Sequence, residues 1–312
     1  MKLSSQQIKS FQKEILGWFE KNKRDLPWRH SRDPYNILIS EVMLQQTQVS
    51  RVIPKFKAWM DKFPTLESLA GASTRDVLLY WSGLGYNRRA LYLKRLAREL
   101  VENSVSLRGE KRRSNLIQDR HALLAMTKKI AWPMTEKELR KLPGIGEYTA
   151  RALLCFGFNH QIAVVDTNVR KVILVRFKDV ILSRAKDIDS SPSGSSDQIG
   201  VQNDKIIQQV ADQLLPKGKA YEWNQALMDY ASAVLKHEKI SIPKQSSFKT
   251  SKRFYRGQVI RLLLQKDIQT ADALFAQLDN NGITKDTFTE ILTTMVKDGL
   301  IDENRNVFSL KQ

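Results

Sequence analysis

Apolar residues recur every three or four positions along most of the chain, and that spacing predicts helices. Ile8, Phe11, Ile15 and Phe19 share one helical face. Asp33-Pro34 opens a second helix, with proline at a first-turn position where no backbone N–H is required. Pro54 is expected to stop that helix and start another. Ser73-Thr74-Arg75-Asp76 has the look of a helix-capping box, and Thr135-Glu136-Lys137-Glu138 matches one. Two glycine turns, Gly83-Leu84-Gly85 and Gly144-Ile145-Gly146, separate helical stretches. No alternation of apolar and polar residues competes before the C-terminus. The body therefore reads all-α to about residue 240.

Two stretches break the pattern and read as insertions. Residues 104–131 are charged and aperiodic, with a basic cluster at Lys111-Arg112-Arg113, and 187–200 form a Ser/Gly/Pro loop. A linker follows at 241–252. The tail, 253–312, is expected to hold short helices near 253–265, 269–278 and 284–298, then a turn and an extended Val307-Phe308-Ser309-Leu310. Helices ending in a hairpin suggest a small winged-helix-like module.

Composition narrows the chemistry. Across 312 residues, 51 Lys+Arg face 33 Asp+Glu, a net charge of +18 that points to a polyanion, with nucleic acid the commonest. A hydrophobic share of 42% excludes wholesale disorder. No apolar run approaches the ~20 residues of a membrane span, and the N-terminus leads into an amphipathic helix rather than a signal-peptide core. The lone cysteine, Cys155, can build neither an internal disulfide nor an iron–sulfur cluster nor a zinc finger. His30, His121, His160 and His237 are not paired at metal-ligand spacing.

The most informative stretch is Leu142-Pro143-Gly144-Ile145-Gly146-Glu147-Tyr148-Thr149-Ala150. A helix that ends in Pro-Gly-x-Gly and restarts at once exposes backbone amides at Gly144, Gly146 and Thr149, a setting suited to a DNA phosphate. A tight turn between packed helices has the same appearance. Twenty residues after Gly146, Val164-Val165-Asp166-Thr167-Asn168 puts an acid at the mouth of another helix, which alone is also what an ordinary cap does.

Together these pieces resemble the helix-hairpin-helix and Gly/Pro-Asp signature of the DNA-glycosylase superfamily. Leu26-Pro27-Trp28-Arg29, Asp33-Pro34-Tyr35, Ser40-Glu41-Val42-Met43-Leu44-Gln45-Gln46-Thr47-Gln48 and Gly83-Leu84-Gly85-Tyr86 follow in order. This series is similar to MutY-type adenine DNA glycosylases over about residues 8–237. The resemblance implies a two-lobed helical fold, with one lobe near 34–160 and the other built from the N-terminal helix and 161–240. It implies an active site in the cleft between the lobes, and removal of adenine mispaired with 8-oxoguanine or guanine.

Glycosidic cleavage passes through an oxocarbenium-like sugar and needs one carboxyl to donate a proton while another stays ionised. By resemblance Glu41 protonates adenine at N7, and its apolar neighbours suit a raised pKa. Asp166 stabilises the sugar cation, its place at a helix start favouring the anion. Asn168 orients Asp166. Tyr148 stands where strand-cutting relatives carry a Schiff-base lysine, so the resemblance implies a monofunctional enzyme that leaves an abasic site. Arg24, Trp28, Arg29, Leu44 and Gln225 match the adenine pocket. Gln46 and Tyr86 match intercalating positions, and Thr47 and Leu84 match contacts to the orphaned base. Core packing for Trp28 and a plain surface role for Gln46 stay open.

The chain also departs from the family. The first cysteine of the usual cluster falls at Leu235 and none follows, which implies a clusterless form held by ordinary packing around Ile240, Ile242 and Phe248. Asn87 replaces a second tyrosine, and residues 253–312 are too few for the larger Nudix-like domain of the family. Lys252, Arg253 and Arg256 are candidate phosphate contacts, or a solvated basic face. No metal or organic cofactor is expected in catalysis, with a monovalent cation allowed at the hairpin. The expected partner is double-stranded DNA, for a monomer on cytoplasmic, nucleoid-associated DNA with no membrane role. A T:G mismatch thymine glycosylase and a non-catalytic DNA-binding protein are the alternatives; Glu41 favours adenine over the first, and the pair of carboxyls argues against the second.

Overall fold

The computed structural model describes residues 3–113, 130–188, 196–238, 251–278 and 283–311. It divides into two compact units: Met1–Leu38, Met134–Glu136 and Ile145–Ile242 form one, and Ile39–Pro133, Lys137–Gly144 and Pro243–Gln312 the other. The two units meet in the chain at the hairpin, between Gly144 and Ile145.

The first unit opens with α1 (Ser5–Asn22), capped by Ser4, whose Oγ accepts from the Gln7 amide while the Gln7 side chain accepts from Ser4 N–H. Its buried face carries Phe11 and Ile15. Phe11 meets Phe177 and Trp223 edge-on at 5.0 and 5.7 Å, geometries that suit the ring quadrupoles. A single turn spans Pro27–Arg29, and α2 (Pro34–Leu44) begins where expected, with the Asp33 carboxylate accepting from Tyr35 N–H at 2.7 Å.

The second unit takes over α2 from Ile39 and continues through α3 (Val49–Lys62), α4 (Leu66–Gly71), α5 (Thr74–Trp81) and α6 (Arg88–Arg113). Trp59, Phe63, Tyr80 and Trp81 pack edge-to-face in its core. Pro54 does not break a helix: it lies inside α3. Both Pro54 and Ser50, whose carbonyl loses its partner, are exposed, which leaves that carbonyl on the solvent side of the helix. Nor is all of 104–131 an insertion outside the helices, because α6 continues to Arg113; residues 114–129 lie outside the described residues. The single turn α7 (Glu136–Leu139) leads to the hairpin.

Back in the first unit, α8 (Glu147–Ala152) runs into a π turn over Leu153–Gly157. There follow α9 (Thr167–Arg176), α10 (Lys178–Ile188), α11 (Ser196–Leu214) and α12 (Ala220–Ala233). The Ser-rich loop is therefore shorter than 187–200, and 189–195 lie outside the described residues, as does most of the linker (239–250) with Ile240, Ile242 and Phe248.

The tail folds much as read. Helices α13 (Lys252–Gln265), α14 (Ala271–Ala276) and α15 (Lys285–Lys297) bury Val259, Leu263, Leu274, Phe288 and Ile291. Strands β2 (Ile301–Asn304) and β3 (Val307–Leu310) form the hairpin, turning at Arg305 and Asn306 with φ of 50° and 61°, the left-handed pair a tight hairpin requires. Too short to show in the sequence pattern, β1 (Ile268–Thr270) pairs with the other side of β3, giving the antiparallel order β1-β3-β2. Within its unit the module is tied down by charge: Arg75 donates to Asp267, and Asp298 receives both Arg256 and, at 3.2 Å, Arg88.

Candidate active site

Asp166 caps α9 with an extended backbone, its Oδ1 accepting from the Val169 amide at 2.7 Å and its Oδ2 from Asn168 Nδ2 at 2.8 Å. Both oxygens are thus held, and the side chain cannot rotate away. Burial pushes the carboxyl above its ordinary pKa, and the bonds from Val169 and Asn168 pull back only in part. The helix start does favour the anion, through the Val169 amide, as its place in the chain predicts. The compensating groups are hydrogen-bond dipoles, and here desolvation outweighs them.

The segment leading to Asp166 is fixed by a residue that motif reading passed over. Asn224 on α12 is buried; its Oδ1 accepts from Val164 N–H at 2.8 Å while its Nδ2 donates to the Ile162 carbonyl at 3.0 Å. One amide side chain thereby imitates a neighbouring strand beside the catalytic candidate. A lone asparagine amid apolar helix positions was the available signal.

One turn further along α12, Asp229 has a fully buried side chain. It accepts from Arg24 N–H at 3.0 Å, Arg24 Nε at 2.6 Å, and both terminal nitrogens of Arg29 at 2.8 Å. The adenine-pocket candidates Arg24 and Arg29 are therefore held together, with Arg29 Nε buried and unpartnered. Trp28 and Gln225 are buried in the same unit. Burial alone would raise Asp229, but the Arg29 bonds and the Arg24 amide outweigh it and hold the carboxyl below its ordinary value. A depressed carboxylate stabilises the fold above its unfolded pKa, about 3.9, and loses that contribution as pH falls through the folded value. Asp229→Asn is expected to cost about 3 kcal/mol at pH 7, since it strands two guanidinium groups. Urea melts at pH 7 and pH 3 check this: the penalty should shrink markedly in acid.

In the second unit, Glu41 lies on α2 between Ser40 and Val42, only 7% exposed. After Leu44, which is half-buried, the chain turns through Gln45, Gln46 and Thr47; Gln46 is exposed and left-handed, with φ 56°. The glycine turn ends likewise: Gly83 and Gly85 have φ of 91° and 72°, and Tyr86, 37% exposed, has φ 48°. Each non-glycine residue in this conformation costs roughly 1–2 kcal/mol. Leu84, expected among the DNA contacts, is buried. Tyr86 lies beneath the guanidinium of Arg89 and that of Arg253 from α13, both 5.2 Å from its ring centroid, and Arg253 also donates to its hydroxyl.

The hairpin needs its first glycine twice over. Gly144 has φ 78°, and a Cβ there would stand 2.7 Å from the Cβ of Tyr92. Gly146 caps α8 with an extended backbone open to any residue. Thr149 is buried, so of the phosphate candidates its side chain is turned inward; Tyr148 is half-buried. Gly144→Ala is expected to cost about 2 kcal/mol, because both backbone and packing must shift. A thermal melt and a salt-dependent affinity measurement on undamaged duplex should both show weakening.

Among the described residues no group of three His, Cys, Asp or Glu is placed to hold a metal, and no helix is long and apolar enough to cross a membrane. A four-cysteine cluster does not fit this chain. Its one cysteine, Cys155, is buried in the π turn and receives Asn224 Nδ2 at 3.3 Å, and Leu235 is buried.

Residues 39–177 match the family model described as HhH-GPD superfamily base excision DNA repair protein. The chain is 32% identical to an adenine DNA glycosylase of Mus musculus, over 84% of this chain and 46% of that protein. It is 39% identical to an adenine DNA glycosylase of Mycolicibacterium smegmatis (strain ATCC 700084 / mc(2)155), over 51% of this chain and 47% of that one. It thus spans about half the length of the curated relatives it matches. A solved structure of a thermostable thymine-DNA glycosylase superposes with a TM-score of 0.54 at 26% identity, covering 74% of this chain and 89% of that one.

Proposed function

We propose that the chain is an HhH-GPD-type base excision DNA repair protein, as the match of residues 39–177 to that family supports, and that it hydrolyses the N-glycosidic bond of adenine mispaired with 8-oxoguanine or guanine. Glu41 donates a proton to adenine N7. The C1′–N9 bond then breaks with its electron pair leaving on the base, and the cation at C1′ is met by the Asp166 carboxylate. Water adds at C1′ and releases a proton to solvent, from which the Glu41 carboxyl is restored, so the products are free adenine and an abasic site. The duplex partner supplies the flipped base, and the net charge of +18 supplies the general attraction to its backbone.

The observation that carries this reading is the setting of Asp166, held at the start of α9 by Val169 and Asn168 with both oxygens committed. Tyr148 in place of an amine supports a monofunctional reaction, since a phenol forms no Schiff base. The likeness to a thymine-DNA glycosylase structure supports a second reading, excision of thymine from T:G. Glu41 weighs against it, because thymine has no N7 to protonate.

A single-turnover assay on duplexes carrying A:8-oxoguanine, A:G, A:T and T:G, each with and without alkali, separates these. Strand breaks at the first two, and only after alkali, are the expected result. Cutting of T:G alone would move the reaction to thymine, and binding without an alkali-labile product on any duplex would end the catalytic reading.

A further inference from the structure

Arg89, near the start of α6, meets four backbone carbonyls. Its Nη1 donates to Val42 and Gln45 at 2.6 and 2.7 Å, and its Nη2 to Leu84 and Gly85 at 3.3 and 3.2 Å. The first pair belongs to the end of α2 and its turn, the second to the glycine turn. The guanidinium stacks over Trp81 at 5.2 Å, Trp81 Nε1 itself donates to the Gly85 carbonyl at 2.9 Å, and Arg89 Nε is buried without a partner. Burial lowers the Arg89 pKa to about 10, so the side chain keeps its charge at neutral pH.

One residue beyond each clamped turn stands an exposed side chain on a left-handed backbone, Gln46 after Gln45 and Tyr86 after Gly85. Two costly conformations placed side by side in this way need a common restraint, and Arg89 is bonded to the peptide preceding each of them. An amide and an aromatic ring suit the two things an opened base pair offers, a hydrogen-bonding edge and a stacking face.

We propose that Arg89 is a positioning residue that locks the two turns into one rigid edge, with which Gln46 and Tyr86 open a base pair in duplex DNA. This deepens the glycosylase reading and rests on it for its substrate. A lysine carries the same charge but cannot reach four carbonyls in a plane, so charge and geometry separate in Arg89→Lys.

The test uses the full chain, with Arg89→Lys and Arg89→Met first checked for an intact helical melt. A duplex with 2-aminopurine opposite guanine brightens when that base leaves the stack, whether or not chemistry follows. A second duplex places adenine opposite a tetrahydrofuran gap, where no pair remains to be opened. Wild type is expected to brighten the first duplex and Arg89→Lys not to. Adenine release from A:G should fall on the order of 10²-fold in the variant while release opposite the gap stays near wild type. Equal losses on both substrates, brightening by Arg89→Lys equal to wild type, or a wild type that does not brighten would each overturn the proposal. A wild type that brightens the duplex and releases no adenine would overturn the glycosylase reading and leave the clamp standing.

Discussion

Asp166→Asn is expected to lower adenine release by on the order of 10³-fold, with duplex affinity unchanged within a few fold. The size follows from what the carboxylate would face, a sugar cation whose charge it meets directly. Asparagine keeps the carbonyl oxygen that accepts from Val169 N–H, so the α9 cap survives and no helix is unravelled. Stability is expected to hold or rise. The Asp166 pKa is raised by folding, so at neutral pH its ionisation costs the native state free energy. That cost is present above the folded value and disappears as pH falls toward the unfolded value of about 3.9. Wild type should therefore gain stability on mild acidification through that window relative to the variant. Paired thermal melts at pH 7 and pH 4, beside single-turnover rates, check both halves. A variant within tenfold of wild-type activity would remove Asp166 from the chemistry.

Glu41→Gln is expected to cost roughly 10²–10⁴-fold in adenine release, the range of a lost general acid. Glutamine has the size and polarity of the protonated acid but no proton to lend. The pH–rate profile distinguishes this role from a packing defect. Wild type should slow as pH rises and the acid is lost, whereas the variant should run flat over the same range. Burial of Glu41 at 7% exposure makes the isosteric exchange the right one, since alanine would open a cavity in α2 as well. A parallel pH dependence in both proteins would place the titrating group elsewhere.

The elements that the sequence showed most clearly are those whose signal is local. Ser73 precedes a helix whose first turn it caps, and serine is a residue type that competes for free backbone amides. Gly83, Gly85 and Gly144 all have positive φ, as glycine turns between helices predict. Pro54 misled because a proline's cost depends on where the carbonyl it strands is left, and here that is the solvent side of the helix. Residues 104–113 misled because a charged helix without an apolar stripe has no period to read.

Within the candidate site, the sequence placed the proposed side chains through its motif resemblance: Glu41 in its helix, Asp166 and Asn168 two residues apart, Tyr148 in the hairpin. Those identities are written in short strings, because a cap, a turn or a helix face is decided within a few residues. The supports around them were decided only by the tertiary structure. Asn224 bonds a segment 60 residues away, Asp229 gathers arginines some 200 residues upstream, and Arg89 joins the carbonyls of Gln45 and Leu84 from two separate turns. Burial is likewise a property of the folded whole. It turned Leu84 and Thr149 inward and raised the pKa of Asp166. Hydrogen bonds between distant segments leave no period in a sequence, since any asparagine, aspartate or arginine fits the pattern, and only packing selects which one is enclosed.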